Sequence, residues 1–293
     1  MADGDIGFHC NACGKCCNSP PAMSVPELMR HGDRFIGSLT VGRVKRLVAG
    51  SRIAEGGSFH QLDAGEAADL SALRGRLFHD PDDRSGFDVT LLTQAFDYSS
   101  LARCPALADD GGCAIHGEGK PLMCRVVPLD PYLPDSLQHS VLVNRRASAA
   151  FMGAECISSG IDATYQPLVQ YRSLRDAGYR DDLQQRRSSL VDEKRDWGGA
   201  VFSMLKNELR QSRQSDDGYL VLPLAPVLAV LAAQSEAMRA RCVDYIDSQL
   251  ALIDAAITVA LERRHSADRE VTAQLRAFAQ AYSRQRPLLV KAA

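Results

Sequence analysis

The chain has 293 residues, 45% of them hydrophobic and 24% charged, with a formal net charge of −2. That length allows one large domain or two modest ones with a proper core. The near-neutral balance gives no electrostatic reason to expect nucleic acid or a membrane surface as a partner, and a single Trp with nine Phe offers no stacking platform for bases.

The opening stretch, MADGDIGFHC, carries acidic residues and lacks the apolar segment of a secretory signal. Ser24 precedes Pro26 and Glu27, a helix-start pattern that predicts a helix over Val25–Phe35. Val41, Val44, Leu47 and Val48 recur at helical spacing and predict a second helix over Thr40–Val48. FDVTLLTQAFDY, Phe87–Tyr98, is rich in β-branched and aromatic residues and reads as a strand; HSVLVN, His139–Asn144, reads as another. From about Thr164 the pattern turns helical. Asp182–Ser212 has helical apolar spacing, with Trp197-Gly198-Gly199 expected to break it. The longest apolar run, Tyr219–Ala233, is 15 residues long and interrupted by Pro223 and Pro226, too short and broken to span a bilayer. Pro226–Arg264 and Asp268–Arg284 follow as amphipathic helices. The expected fold is mainly α. A loop-rich, cysteine-ligated metal-binding core with a few short strands would occupy residues 1–160, and a C-terminal helical bundle, residues 161–293, would pack on it. A cytoplasmic location is the default expectation.

The chain holds nine cysteines, and eight of them precede residue 157. HCNACGKCC packs Cys10, Cys13, Cys16 and Cys17 into eight residues; RCPALADDGGCAIHGEGKPLMCR supplies Cys104, Cys113 and Cys124, and GAEC adds Cys156. Disulfides are rare in the cytosol, so such a density there reads as metal binding or redox chemistry. Cys10-x2-Cys13-x2-Cys16 is a double C-x2-C turn, which lets thiolates converge on one ion, with Gly14 where the turn is tightest. Cys17 is adjacent to Cys16, and the two side chains point apart in an extended chain, so they can serve different centres. Asp109-Asp110-Gly111-Gly112 is a turn expected to bring Cys104 and Cys113 together. Eight thiols suffice for two four-cysteine sites, or for one iron–sulfur cluster with thiols to spare. Soft thiolates select zinc, Cu(I) or iron–sulfur clusters, and spacing alone leaves zinc and iron–sulfur open. His9 and His116 are candidate nitrogen ligands. Cys242 falls on the apolar stripe of the long helix and reads as a buried structural cysteine.

CNACGKCC, followed by CPAL, CAIH and KPLMCRVVP, resembles the YkgJ-type cysteine-cluster family of zinc- or iron-chelating proteins. The matching residues are Cys10–Cys17, Cys104–Leu107, Cys113–His116 and Lys120–Pro128, and the resemblance covers roughly residues 8–157. Lys120 stands where the family usually has Arg, and Cys156 lacks the Pro-Gly that often follows a late cysteine. The resemblance implies metal ligation by Cys10, Cys13, Cys16, Cys17, Cys104, Cys113, Cys124 and Cys156. Through the flagellin lysine-N-methylases it also implies a 4Fe–4S centre and S-adenosylmethionine-dependent modification of a protein or peptide. The chain is shorter than those enzymes, has no radical-type C-x3-C-x2-C motif, and shows no glycine-rich nucleotide fingerprint after a strand.

Three readings follow. The first is an iron–sulfur or iron protein with a chemical role, the second a zinc protein that acts through partner binding, and the third a soft-metal handling protein. Arg125, next to Cys124, is the candidate cofactor contact, since a guanidinium can offset thiolate charge. Arg145-Arg146 is a candidate contact for a carboxylate such as that of S-adenosylmethionine. No paired carboxylates or Ser/His/Asp set support hydrolysis.

Overall fold

The computed structural model describes residues 5–10, 14–17, 19–78, 86–98, 100–101, 103–117, 119–162, 164–211 and 219–291. In chain order the elements are β1 (Ile6–Phe8), α1 (Val25–Arg30), β2 (Gly37–Lys45), β3 (Arg52–Glu55), β4 (Ser58–Gln61) and α2 (Ala64–Leu73). Then come β5 (Phe87–Ala95), α3 (Leu122–Val126), α4 (Gln138–Phe151), β6 (Ile157–Ser159), β7 (Gln166–Gln170) and β8 (Ser173–Leu174). The last are α5 (Ala177–Glu193), α6 (Gly199–Gln211), β9 (Tyr219–Pro223), α7 (Ala225–Ala232), α8 (Glu236–Arg263) and α9 (Asp268–Lys291).

The chain forms two compact units, each built from discontinuous segments: Met1–Asn18, Lys45–Arg76 and Leu107–Val191 make one, and Ser19–Val44, Leu77–Ala106 and Asp192–Ala293 the other. In the first unit a four-stranded sheet has the order β6-β1-β7-β8. The short β1 lies between two antiparallel neighbours, with Phe8 opposite Ile157 on one side and Gln166 on the other. Gly7 is required there. A Cβ at this position would stand 2.6 Å from Tyr165 Cβ and 2.8 Å from the Gly160 carbonyl. Ile6, Phe8, Val126, Leu129, Leu142 and Leu168 are among the residues of the buried core beside this sheet. The β3–β4 hairpin packs on α4, and α2 is started by a reciprocal cap in which Asp63 Oδ1 accepts from the Glu66 N–H and Glu66 Oε2 from the Asp63 N–H.

In the second unit β2 lies between β5 and β9, pairing antiparallel with β9 from Ser38–Pro223 to Gly42–Tyr219. α7, α8 and α9 pack mutually, and α9 also packs on β9. Gln249, wholly buried on α8, accepts from the Gly37 N–H at 2.8 Å and donates to the Gly32 and Phe35 carbonyls at 2.8 and 3.0 Å.

The mainly-α expectation is corrected. Helix covers 52% and strand 19% of the structure, in three small sheets, so the class is mixed α and β. Nor is there a loop-rich core already closed on a metal, since no three His, Cys, Asp or Glu side chains among the described residues are placed to hold an ion. The strands of the first unit are five residues long or shorter, and β1 pairs with β6 and β7 across some 150 to 160 positions, so no local period announces them. Thr40–Val48, expected as helix, is largely the strand β2, where Thr40, Val41 and Val44 suit a pleated surface. His139–Asn144, expected as strand, is the first half of α4. Trp197-Gly198-Gly199 does not break the helix. Lys194–Gly198 forms a π-helical turn that joins α5 to α6 with Trp197 buried. The long helix expected from Pro226 is instead two: α7 ends before Ser235, whose hydroxyl accepts from the Met238 N–H and starts α8. The strand over Phe87–Tyr98 is present as β5, and the helix after Ser24 as α1, where Glu27 accepts from both the Ser24 N–H and hydroxyl.

Candidate functional site

The cysteines of the first unit are carried on segments tied together by specific hydrogen bonds. Where β1 ends, the His9 N–H donates to the Cys156 carbonyl at 2.9 Å, bringing the chain before Cys10 alongside Cys156. Lys15 Nζ donates to the Gly153 carbonyl at 2.6 Å, anchoring the next turn to the same segment. That turn, Lys15–Cys17, closes with the Cys17 N–H on the Gly14 carbonyl. Gly14 has φ +70, and a Cβ there would lie 3.0 Å from Leu107 Cδ1 and 3.1 Å from the Gly111 carbonyl. The backbone of the cysteine turn therefore packs directly on the 107–113 loop. The expected turn in that loop is present, with the Gly111 N–H donating to Ala108 and Leu107 bridging to Cys113. The His116 N–H returns to the Cys113 carbonyl, and the Cys124 N–H opens α3 on the Pro121 carbonyl.

Charge concentrates at this corner. The Cys16 thiol is lowered to about 6, chiefly by a hydrogen bond from the Cys17 thiol and against the opposing effect of desolvation, with its backbone amide and the cations Lys120 and Arg145 adding. Cys16 is thus mainly thiolate at neutral pH. Tyr179, in the first turn of α5, stacks edge-on against Phe8 with ring centroids 5.7 Å apart. Tyr179 and Cys156 both pack against the core beside the sheet. Burial foremost, then the negative charge of Cys10, Asp176, Asp182 and Cys156, raises its phenol well above the ordinary value, so it stays protonated. Asp176 caps α5 by accepting from the Tyr179 N–H at 2.9 Å. Beside these residues lies an open cleft of about 440 Å³ lined by His116, Lys120, Arg125, Gln166, Asp176, Gly178, Tyr179 and Asp182.

Cys10, Cys16, Cys17, Cys113, Cys124 and Cys156 belong to the first unit and form no disulfide among the described residues; Cys10 and Cys16 are exposed, and the other four half-buried. Cys13 lies outside the described residues. Cys104 is buried and belongs to the second unit. Cys242 is buried on α8, and its thiol is pushed up to about 11 by that burial, as suits a structural cysteine. Arg125 makes an ion pair with Asp182 and so lines the cleft with part of its charge spent. Tyr179, Asp182 and Gln166 escaped sequence reasoning: each lies more than 40 positions from Cys113 and Cys124, and the local signal was the Asp176-x-x-Tyr179 helix start.

A second polar cluster lies elsewhere in the unit. Glu55 accepts from both terminal nitrogens of Arg172 at 3.1 Å and from the Ser140 hydroxyl, which holds its carboxyl down at about 2. Arg172 and its neighbour Tyr171 sit at φ +60 and +49 in the β7–β8 turn, a left-handed pair without glycine. The buried His139 ring is kept below its ordinary pKa, first by burial and then by Arg172.

No family model, curated protein or solved structure matches the chain. What the site does is therefore argued from its own residues. Among the described residues, no helix is long and apolar enough to cross a membrane.

Proposed function

We propose that the cysteine corner of the first unit binds a cysteine-ligated iron–sulfur centre, drawing its ligands from Cys10, Cys13, Cys16, Cys17, Cys113, Cys124 and Cys156. The observation that carries this reading is the stitching of three cysteine-bearing segments to one another: Lys15 to Gly153 and His9 to Cys156 join 9–17 to 153–156, Gly14 against Leu107 and Gly111 joins it to 107–113, and Leu107 bridges to Cys113 within that loop. The donor set fits. It is soft, one thiolate is already formed near neutral pH, and Lys120 and Arg145 stand where they offset the negative charge of ligating sulfurs. Because no three ligand side chains among the described residues already converge, binding would draw the 9–17 segment and the 107–124 segment together, and metal affinity would be coupled to local folding.

When bound, such a centre supplies electron transfer or Lewis acidity. The chain's own residues contribute charge compensation from Lys120 and Arg145, and partial shielding by the protonated Tyr179. The resemblance to lysine N-methylases extends the proposal to modification of a protein or peptide side chain.

The test is anaerobic purification followed by elemental analysis and EPR. Wild type and Cys242→Ser should carry iron and inorganic sulfide with broad visible absorption, and Cys124→Ser should lose both. Colourless protein with stoichiometric zinc would replace the iron reading by the zinc one. Equal metal in all three proteins would refute the ligand set.

A further inference from the structure

We propose that the cleft beside the cysteine corner is a binding site for a small oxyanion, a carboxylate or phosphate group, held between Lys120, His116 and Gln166. The cleft is lined by both signs of charge, but the signs are not equally committed. Of the two carboxylates, Asp182 is engaged by Arg125, and Asp176 by the Tyr179 N–H at the start of α5. Arg125 is correspondingly partnered. No hydrogen bond or ion pair among the described residues engages Lys120 Nζ, the His116 ring or the Gln166 side-chain amide, and all three line the same cleft. The groups left without a hydrogen-bond or ion-pair partner among the described residues are therefore one ammonium, whose field also reaches Cys16, one imidazole and one amide, which together can supply several donors to a single anionic group.

The start of α5 is already capped by Asp176, and Tyr179 of its first turn, kept protonated, adds to the cleft a hydroxyl able to donate. The volume of about 440 Å³ accommodates a small metabolite, and its open form gives direct access from solvent. None of the anchoring side chains is a cysteine, although Lys120 is shared with the charge compensation of the neighbouring sulfurs.

The test is isothermal titration calorimetry of the full chain with sodium malonate, inorganic phosphate, glycerol and choline. Wild type should bind malonate or phosphate, the stronger of the two identifying the carboxylate or phosphate class, with affinity that falls as salt rises. Lys120→Gln should weaken binding about tenfold, the effect of losing one charge-assisted contact. Gln166→Glu, which keeps every cation and adds a negative charge, should abolish it, while Lys45→Gln on β2 should leave it unchanged. Circular dichroism of each variant would verify that the fold persists. Absence of heat with both anions, equal affinity in Lys120→Gln, or choline binding as tightly as the anions would overturn the proposal. Anion binding by protein that carries no metal would leave it standing and count only against the cysteine reading.

Discussion

The Glu55–Arg172 pair is the sharpest place to test the electrostatics of the first unit. Glu55→Gln keeps the shape of the side chain and removes its charge, leaving Arg172 in a left-handed turn with weaker acceptors. Holding the carboxyl at about 2 rather than 4.5 converts, at about 1.4 kcal/mol per tenfold change in proton affinity, to an upper bound near 3.4 kcal/mol. Arg172 is 40% exposed, so solvent screening brings the expected loss to about 1–2 kcal/mol. The sign follows from the lowered pKa. The stabilisation is complete above pH 4.5, where the unfolded carboxyl would also be ionised, and is lost as pH falls towards 2. Urea unfolding followed by far-ultraviolet circular dichroism should show a gap between wild type and Glu55→Gln near pH 7 that narrows by more than half near pH 3. A gap of constant size over that range would show that shape or hydrogen bonding, not charge, sets the effect, and the reasoning would fail.

Two other expectations are independent of it. Gly14→Ala forces a side chain into a left-handed residue 3.0 Å from Leu107, at a cost of about 1–2 kcal/mol, and should loosen the turn that keeps the Cys17 thiol on Cys16. Alkylation of Cys16 by iodoacetamide near pH 7, followed by mass spectrometry, should slow severalfold, and an unchanged rate would detach the acidity of Cys16 from that turn. In the second unit, Gln249→Leu leaves the Gly37 N–H and the Gly32 and Phe35 carbonyls without their buried partner, which should cost about 2–4 kcal/mol and accelerate amide exchange at Gly37; a loss below about 1 kcal/mol would mean that water replaces the amide.

What the sequence disclosed depended on whether the deciding interaction was local. The start of α1 was legible because Ser24, Pro26 and Glu27 act within four residues, and β5 because its β-branched and aromatic run is nine residues long. β2 was misread because Val41, Val44, Leu47 and Val48 mimic a helical stripe; the pairing with β9 that settles it lies some 180 residues away. HSVLVN was too short for its period to mean anything, and as part of α4 its apolar residues face the core while Arg145 and Arg146 continue the helix. The Trp197-Gly198-Gly199 signal was real, but a π-helical turn absorbed it without a break. At the site, the cysteine positions and the Asp109–Gly112 turn were readable from the sequence. Tyr179 and Gln166 were not, because only the pairing of β1 with β7 and the packing of α5 bring them to the corner.

The sheet of the first unit has a consequence for biosynthesis. β1 cannot find either neighbour until residues 157–169 have been made, so the ribosome releases the earliest thiols about 140 residues ahead of the strands that flank them. During that interval the thiols at positions 16 and 17 sit in unfolded chain, without the packed turn and the neighbouring cations that acidify Cys16 in the finished unit, so the nucleophile is switched on only after synthesis has passed these strands.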